Sequence, residues 1–180
     1  MRVLTHCQRQ DKVLEWQPSE EQDNLMQLSQ ILSPERTVCN MPGVSKKRFL
    51  TTVSEHIADS SRNLSADAIY TALLAREQLG STGIGNGIAI PHCRVQECTQ
   101  IIGTLVKLDE GIDFDAIDSQ QVDLLFVLIV PAEETDEHLR VLSGLARLFH
   151  QEAFCQALRD ASSNSELYQT AIRFSEQTQD

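Results

Sequence analysis

Four of the chain's eight glycines, Gly80, Gly83, Gly85 and Gly87, stand within eight residues, and the run continues through Ile88-Ala89-Ile90-Pro91 to His92 and Cys93. Glycine admits positive φ and lets backbone amides come close to a ligand. Pro91 fixes its own φ, offers no N–H and biases Ile90 toward an extended conformation. The run therefore predicts an amide-rich loop, a short apolar strand and a histidine at the strand's end. Such a loop can cradle an anion, and an imidazole with a pKa near neutrality can attack phosphorus.

Phosphoryl transfer needs mainly positioning and charge neutralisation, so neither a metal nor an organic cofactor is required. Arg76, 16 residues before His92 (92 − 76), supplies a cation. The amides from Thr82 to Gly87 and the Ser81 and Thr82 hydroxyls supply donors. Ser81, Thr82, Gly83, Gly85, Asn86 and Gly87 are thus the candidate phosphate-binding residues. A second anion site is the first turn of a helix capped by Thr135, where amides lack partners. His138 falls in that turn, where the dipole disfavours its protonation and suits a neutral hydrogen-bond partner.

The elements that must position these residues follow from spacing. Ser45 predicts an N-cap and Phe49, Val53 and Ile57 a helix running to about Asp59. Ser65 caps a second helix with Ile69, Leu73 and Leu79 as its buried stripe and Gly80 as its stop, leaving Arg76 in the last turn. Ile101 to Leu108 reads as a strand. Val122 to Val130 reads as a central strand covered on both faces and ended by Pro131. The helix after Thr135 shows Leu139, Leu142, Ala146 and Phe149 on one face, and helices near Glu152–Arg159 and Ser165–Phe174 complete the chain. The pattern is α/β, a mixed sheet flanked by helices on both faces. Residues 1–24 read as a polar extension and 25–180 as one domain, with Met26 a candidate alternative start.

Other phosphate loops fail on spacing. A dinucleotide fingerprint begun at Gly83 meets Ile88 where it needs glycine, and a Walker A loop begun at Gly80 gives Gly85-Asn86-Gly87 where it needs Gly-Lys-Ser/Thr. Asp113, Asp115 and Asp118 suggest a calcium loop, but Ile117 and Leu124 occupy ligand positions, so a solvated turn is expected. His92, Cys93 and Cys98 are a poor zinc set because adjacent His and Cys seldom chelate one ion. No G-x-S-x-G elbow is present.

Ordinary readings stand beside these. Arg76 alone would be a dipole partner, His138 a solvated first-turn residue, and the glycines plain turns. His6, His56 and His150 keep such readings, one in the extension and two on helices.

A net charge of −11 argues against a nucleic-acid or anionic-membrane surface, since counterion release needs clustered Lys and Arg. No run reaches the roughly 18 apolar residues that span a bilayer, and residues 1–12 lack a signal-peptide core. Five cysteines without C-x-x-C suit reduced thiols in a cytoplasm.

The block from Arg76-Glu77-Gln78-Leu79-Gly80 to Pro91-His92 resembles the active-site block of the IIA proteins of the bacterial phosphotransferase system, fructose/mannitol class, and most of all their nitrogen-regulatory branch. A second block agrees: Phe114-Asp115-Ala116-Ile117-Asp118, Val122 to Phe126, Val130-Pro131-Ala132 and His138-Leu139. The resemblance covers about residues 25–175. It implies that His92 is phosphorylated on Nε2, that His138 and Arg76 share the site, and that the donor is NPr, a small HPr-like carrier charged from phosphoenolpyruvate. It further implies regulation of partner proteins, potassium-transport regulators among them, by phosphorylation state. A sugar-specific IIA passing phosphate to a fructose or mannitol IIB, and a binding protein that is never phosphorylated, are the alternatives. Cys93 stands where this branch usually has glycine, which opens two expectations: altered partner docking, or an oxidisable site.

Overall fold

The computed structural model of the protein describes residues 27–61, 63–133 and 136–177. In chain order these form α1 Leu28–Ile31, β1 Leu32–Met41, α2 Lys46–Asp59, α3 Ala66–Gln78, β2 Gly83–Gly85, β3 Ile88–Ala89 and β4 His92–Val95. There follow β5 Ile102–Ile112, β6 Val122–Pro131, α4 Asp136–Phe149, α5 Glu152–Asp160 and α6 Asn164–Gln177. The expected polar extension over residues 1–24, Met26 and the Thr135 cap lie outside the described residues.

β6 is the axis of the molecule, and its apolar run explains why. Leu125, Val127 and Ile129 pack on one side with Phe49, Leu50, Val53 and Ile57 of α2 and Ile69 and Leu73 of α3. Leu124, Phe126, Leu128 and Val130 pack on the other with residues of α1, α4, α5 and α6. A strand covered on both faces needs side chains of this kind at every position. The sheet is mixed, as expected, in the order β1-β5-β6-β3-β2, with β4 also on β6. β5 runs antiparallel to β6, whereas β1 is parallel to β5 and both β3 and β4 are parallel to β6.

Ser45 Oγ accepts from Arg48 N at 3.2 Å and Ser65 Oγ from Ala68 N at 3.4 Å, the N-caps that the sequence predicts. Three features differ from expectation. β1 carries Pro34, Glu35 and Arg36, which mask a strand signal. It lies at the sheet edge, with a register break between Leu32 and Thr37, where a missing N–H disrupts no ladder. In α4 the buried stripe is Val141, Leu145, Leu148 and Phe149, while Leu139 is 59% exposed. The helix turns this way because Phe149 meets Phe126 and Phe154 edge-on, at 6.3 and 5.2 Å between ring centroids. In α3 the buried stripe runs through Ile69 and Leu73 to Glu77, and Leu79 is exposed.

Candidate functional site

Beside β6 runs one interrupted strand. Ile88 and Ala89 pair with Leu124 and Leu125, and His92 to Val95 pair with Leu128 to Pro131. Pro91 sits at the break and its carbonyl accepts from Leu128 N at 2.9 Å. His92 therefore opens β4; it does not close a strand, as the sequence suggested. Proline cannot donate to the ladder, so the pairing breaks there and the Ile90 carbonyl becomes available to a side chain.

That carbonyl lies 2.9 Å from His92 Nδ1. A carbonyl can only accept, so Nδ1 carries the proton and Nε2 the lone pair. Arg76 Nε donates to Nε2 at 3.1 Å, which requires the same tautomer. Arg76 Nη1 donates to the Gly80 carbonyl at 3.0 Å, holding the guanidinium against the end of α3. His92 is half-buried. Burial, followed by the charge of Arg76 and the proximity of His138, lowers its pKa below 6.5 against the opposing Ile90 hydrogen bond and Glu77. The imidazole is neutral at pH 7, with its lone pair on the nitrogen that faces Arg76.

His138, in the first turn of α4, contributes to the same electrostatic environment. Its Nδ1 is buried and has no hydrogen-bond partner among the described residues. Arg76, His92 and His138 thus converge.

The glycine run forms a hairpin of β2 and β3 around Asn86-Gly87, both at positive φ (56° and 77°). Asn-Gly is the preferred pair for such a two-residue turn. Most of its expected phosphate donors have acceptors within the protein. Thr82 N and Oγ1 donate to the Glu77 carboxylate at 3.0 and 2.6 Å, Gly83 N to Ser81 Oγ at 3.1 Å, and Ser81 Oγ to the Phe114 carbonyl at 2.7 Å. Asn86 N donates to Asp118 Oδ2 at 2.7 Å. At Gly83 a Cβ would lie 2.8 Å from Ala116 Cβ, and at Gly87 2.7 Å from Arg159 Nη2. These glycines let the hairpin pack, and Gly85 takes a positive φ of 94° beside Asp118.

Lys46, Glu77, Asp123 and Arg159, none of them a candidate from the sequence, build this surround. Lys46 Nζ pairs with Glu77 at 2.8 Å and Asp115 at 3.0 Å. Arg159 grips Asp123 through two hydrogen bonds of 2.8 Å and donates to the Asn86 carbonyl at 2.8 Å. Glu77 leaves one trace in the sequence, an acid at the position that continues the stripe of Ile69 and Leu73; the others carry no local signal. Asp115 and Asp118 are exposed but tie down loops, and among the described residues no group of three acids, histidines or cysteines is placed to hold a metal.

Cys93 corrects both expectations raised for it. It is 6% exposed and packs in the cluster with α2 and α3, on the opposite side of β4 from His92. Burial, with Cys98 nearby, pushes its thiol up to about 12, so the reactive thiolate is scarce and no surface is left for docking. Cys39, Cys93, Cys98 and Cys155 are all free thiols.

Comparison with known proteins shows the family and the fold. Residues 30–173 match the family model described as phosphoenolpyruvate-dependent sugar phosphotransferase system, EIIA 2. The chain is 45% identical over 148 residues to a nitrogen regulatory protein of Pseudomonas aeruginosa, covering 82% of this chain and 96% of that protein. The crystal structure of nitrogen regulatory protein IIA-Ntr from Neisseria meningitidis superposes with a TM-score of 0.74 at 40% identity, covering 81% of this chain and 97% of that one. The mannitol IIA of Escherichia coli shares the fold, with a TM-score of 0.64 at 19% identity over 77% of this chain and 97% of its own. With four-fifths of its length matched in this way, the chain belongs to the EIIA 2 family of the phosphoenolpyruvate-dependent sugar phosphotransferase system, among relatives that are nitrogen regulatory proteins.

Proposed function

We propose that the protein is a cytoplasmic phosphoryl acceptor that takes a phosphoryl group on His92 Nε2 from the HPr-like carrier NPr and regulates partner proteins according to its phosphorylation state. The observation that carries this reading is the pair of contacts on one ring. The Ile90 carbonyl holds the Nδ1 proton, and Arg76 lies against the free Nε2 lone pair. In the transfer, a phosphorus–nitrogen bond forms at Nε2 as the donor's phosphorus–nitrogen bond breaks. The donor imidazole recovers its lone pair. The Nδ1–H stays on the Ile90 carbonyl, which stabilises the ring as it gains positive character. Arg76 shifts from Nε2 onto the phosphoryl oxygens, and His138 serves as a second polar group beside them. The hairpin residues Ser81, Thr82, Gly83, Gly85, Asn86 and Gly87 shape this wall, their bonded donors holding it in place.

Leu79 is 85% exposed, three residues beyond Arg76, and Leu139, next to His138, is also exposed, which supports docking of a protein against the site. A phosphoryl group set there adds negative charge to an apolar contact and so switches partner binding, potassium-transport regulators being the expected class of target. Phosphorylated NPr is expected to label the wild type and to leave His92→Ala unlabelled; equal labelling of both overturns the assignment. Rapid onward transfer to a fructose or mannitol IIB would assign the protein to sugar uptake instead.

A further inference from the structure

A continuous line of hydrogen bonds runs from α2 to the imidazole. Lys46 Nζ lies 2.8 Å from Glu77 Oε1. Glu77 Oε2 accepts from Thr82 Oγ1 at 2.6 Å, and Oε1 accepts from Thr82 N at 3.0 Å. The Thr82 carbonyl accepts from Ile90 N at 3.0 Å, and the Ile90 carbonyl accepts from His92 Nδ1 at 2.9 Å. The line joins α2 to α3 through Lys46 and Glu77, and α3 to the segment that leads into β4 through Thr82 and Ile90. Glu77 and Thr82 are buried, at 7% and 5% exposure, where such bonds are strong and polarise one another.

We infer that Glu77 is a positioning residue for phosphoryl transfer, fixing through Thr82 and Ile90 the tautomer that leaves His92 Nε2 free. The inference deepens the proposed function and rests on it only for its kinetic consequence. A buried carboxylate that merely closed a salt bridge would need Lys46 alone. Here both oxygens are also committed to Thr82, the residue whose carbonyl sets the segment carrying Ile90. Pro91, which follows, contributes no N–H of its own, so Ile90 N is the nearest backbone donor that can anchor this carbonyl. Releasing Thr82 frees Ile90 to rotate, and the imidazole then keeps only Arg76 of the two contacts that hold its proton on Nδ1, so the Nε2–H tautomer gains population.

The test is nitrogen NMR of the His92 ring in the full-length protein, with phosphoryl-transfer kinetics from NPr alongside. Glu77→Gln keeps the shape but loses one acceptor, and Thr82→Val removes only the hydroxyl. Both are expected to move the ring nitrogens toward the Nε2–H tautomer and to lower kcat at least about tenfold, with KM for the donor changed less than about twofold. Thr82→Ser, which keeps the hydroxyl, is expected to keep the wild-type nitrogen shifts. Folded Glu77→Gln or Thr82→Val with wild-type nitrogen shifts overturns the inference, and failure of both to fold overturns it by assigning the pair to folding alone. If wild-type His92 takes no phosphate, the proposed function fails while the nitrogen shifts still decide this inference.

Discussion

The imidazole of His92 is set by two neighbours at once, and their demands agree. The Ile90 carbonyl needs a donor and Arg76 needs an acceptor, so a single tautomer satisfies both. Arg76→Ala is expected to slow phosphoryl acceptance by about a hundredfold while leaving the fold intact, because a preorganised cation at the developing charge is lost. Arg76→Lys is expected to recover little, since an ammonium cannot reproduce the fork that meets both His92 and the Gly80 carbonyl. Stopped-flow or quench labelling measures both. The pH profile follows from the lowered pKa of His92. Attack requires the neutral ring, so the rate is expected to hold as pH falls through 6.5 and to decline only below it. An acid limb centred at or above 6.5 contradicts this. Cys93 has the opposite character: native protein at pH 8 is expected to resist alkylation there and to react at the less buried Cys39.

At the scale of elements, the site depends on breaks in regular structure. Pro91 divides the strand beside β6, the Asn86-Gly87 turn reverses the chain, and α3 stops at Gln78 so that Arg76 faces His92. Gly87→Ala combines a positive φ with a Cβ pressed on Arg159 and Asp123 and is expected to cost about 2 kcal/mol, measured by urea unfolding. Lys46→Met leaves the buried Glu77 carboxylate without its cation and is expected to cost about 3 kcal/mol by the same measurement.

These elements also show what the sequence could carry. The caps Ser45 and Ser65, the central strand and the cluster of glycine, arginine and histidine were legible because each is a local signal. The strand through Pro34, Glu35 and Arg36 was not, because its place at the edge excuses a composition that a central strand forbids. The buried face of α4 is not decided by its sequence, because two stripes compete along it and only packing against Phe126 and Phe154 chooses between them. The Glu77–Thr82 contact needed the fold, although an acid in line with Ile69 and Leu73 was its trace.

For the whole molecule, one strand separates two apolar clusters that face opposite layers of helices. Phe126, 1% exposed at the centre of one, is expected to cost about 3–5 kcal/mol when replaced by alanine, read from thermal or urea unfolding. The rigid sheet between them brings Arg76 and His92 to within 3.1 Å from separate elements. Among the described residues no helix is long and apolar enough to cross a membrane. The net charge of −11 leaves Arg76 as a local cation in an acidic chain, a setting in which an added phosphoryl group is neutralised at one place and repels elsewhere. The proposed phosphorylation of His92 at Nε2 is tested most directly by nitrogen-15 NMR of the ring after reaction with phosphorylated NPr. Coupling of phosphorus to His92 Nε2 is the predicted result; coupling to Nδ1, or to any other residue, contradicts it.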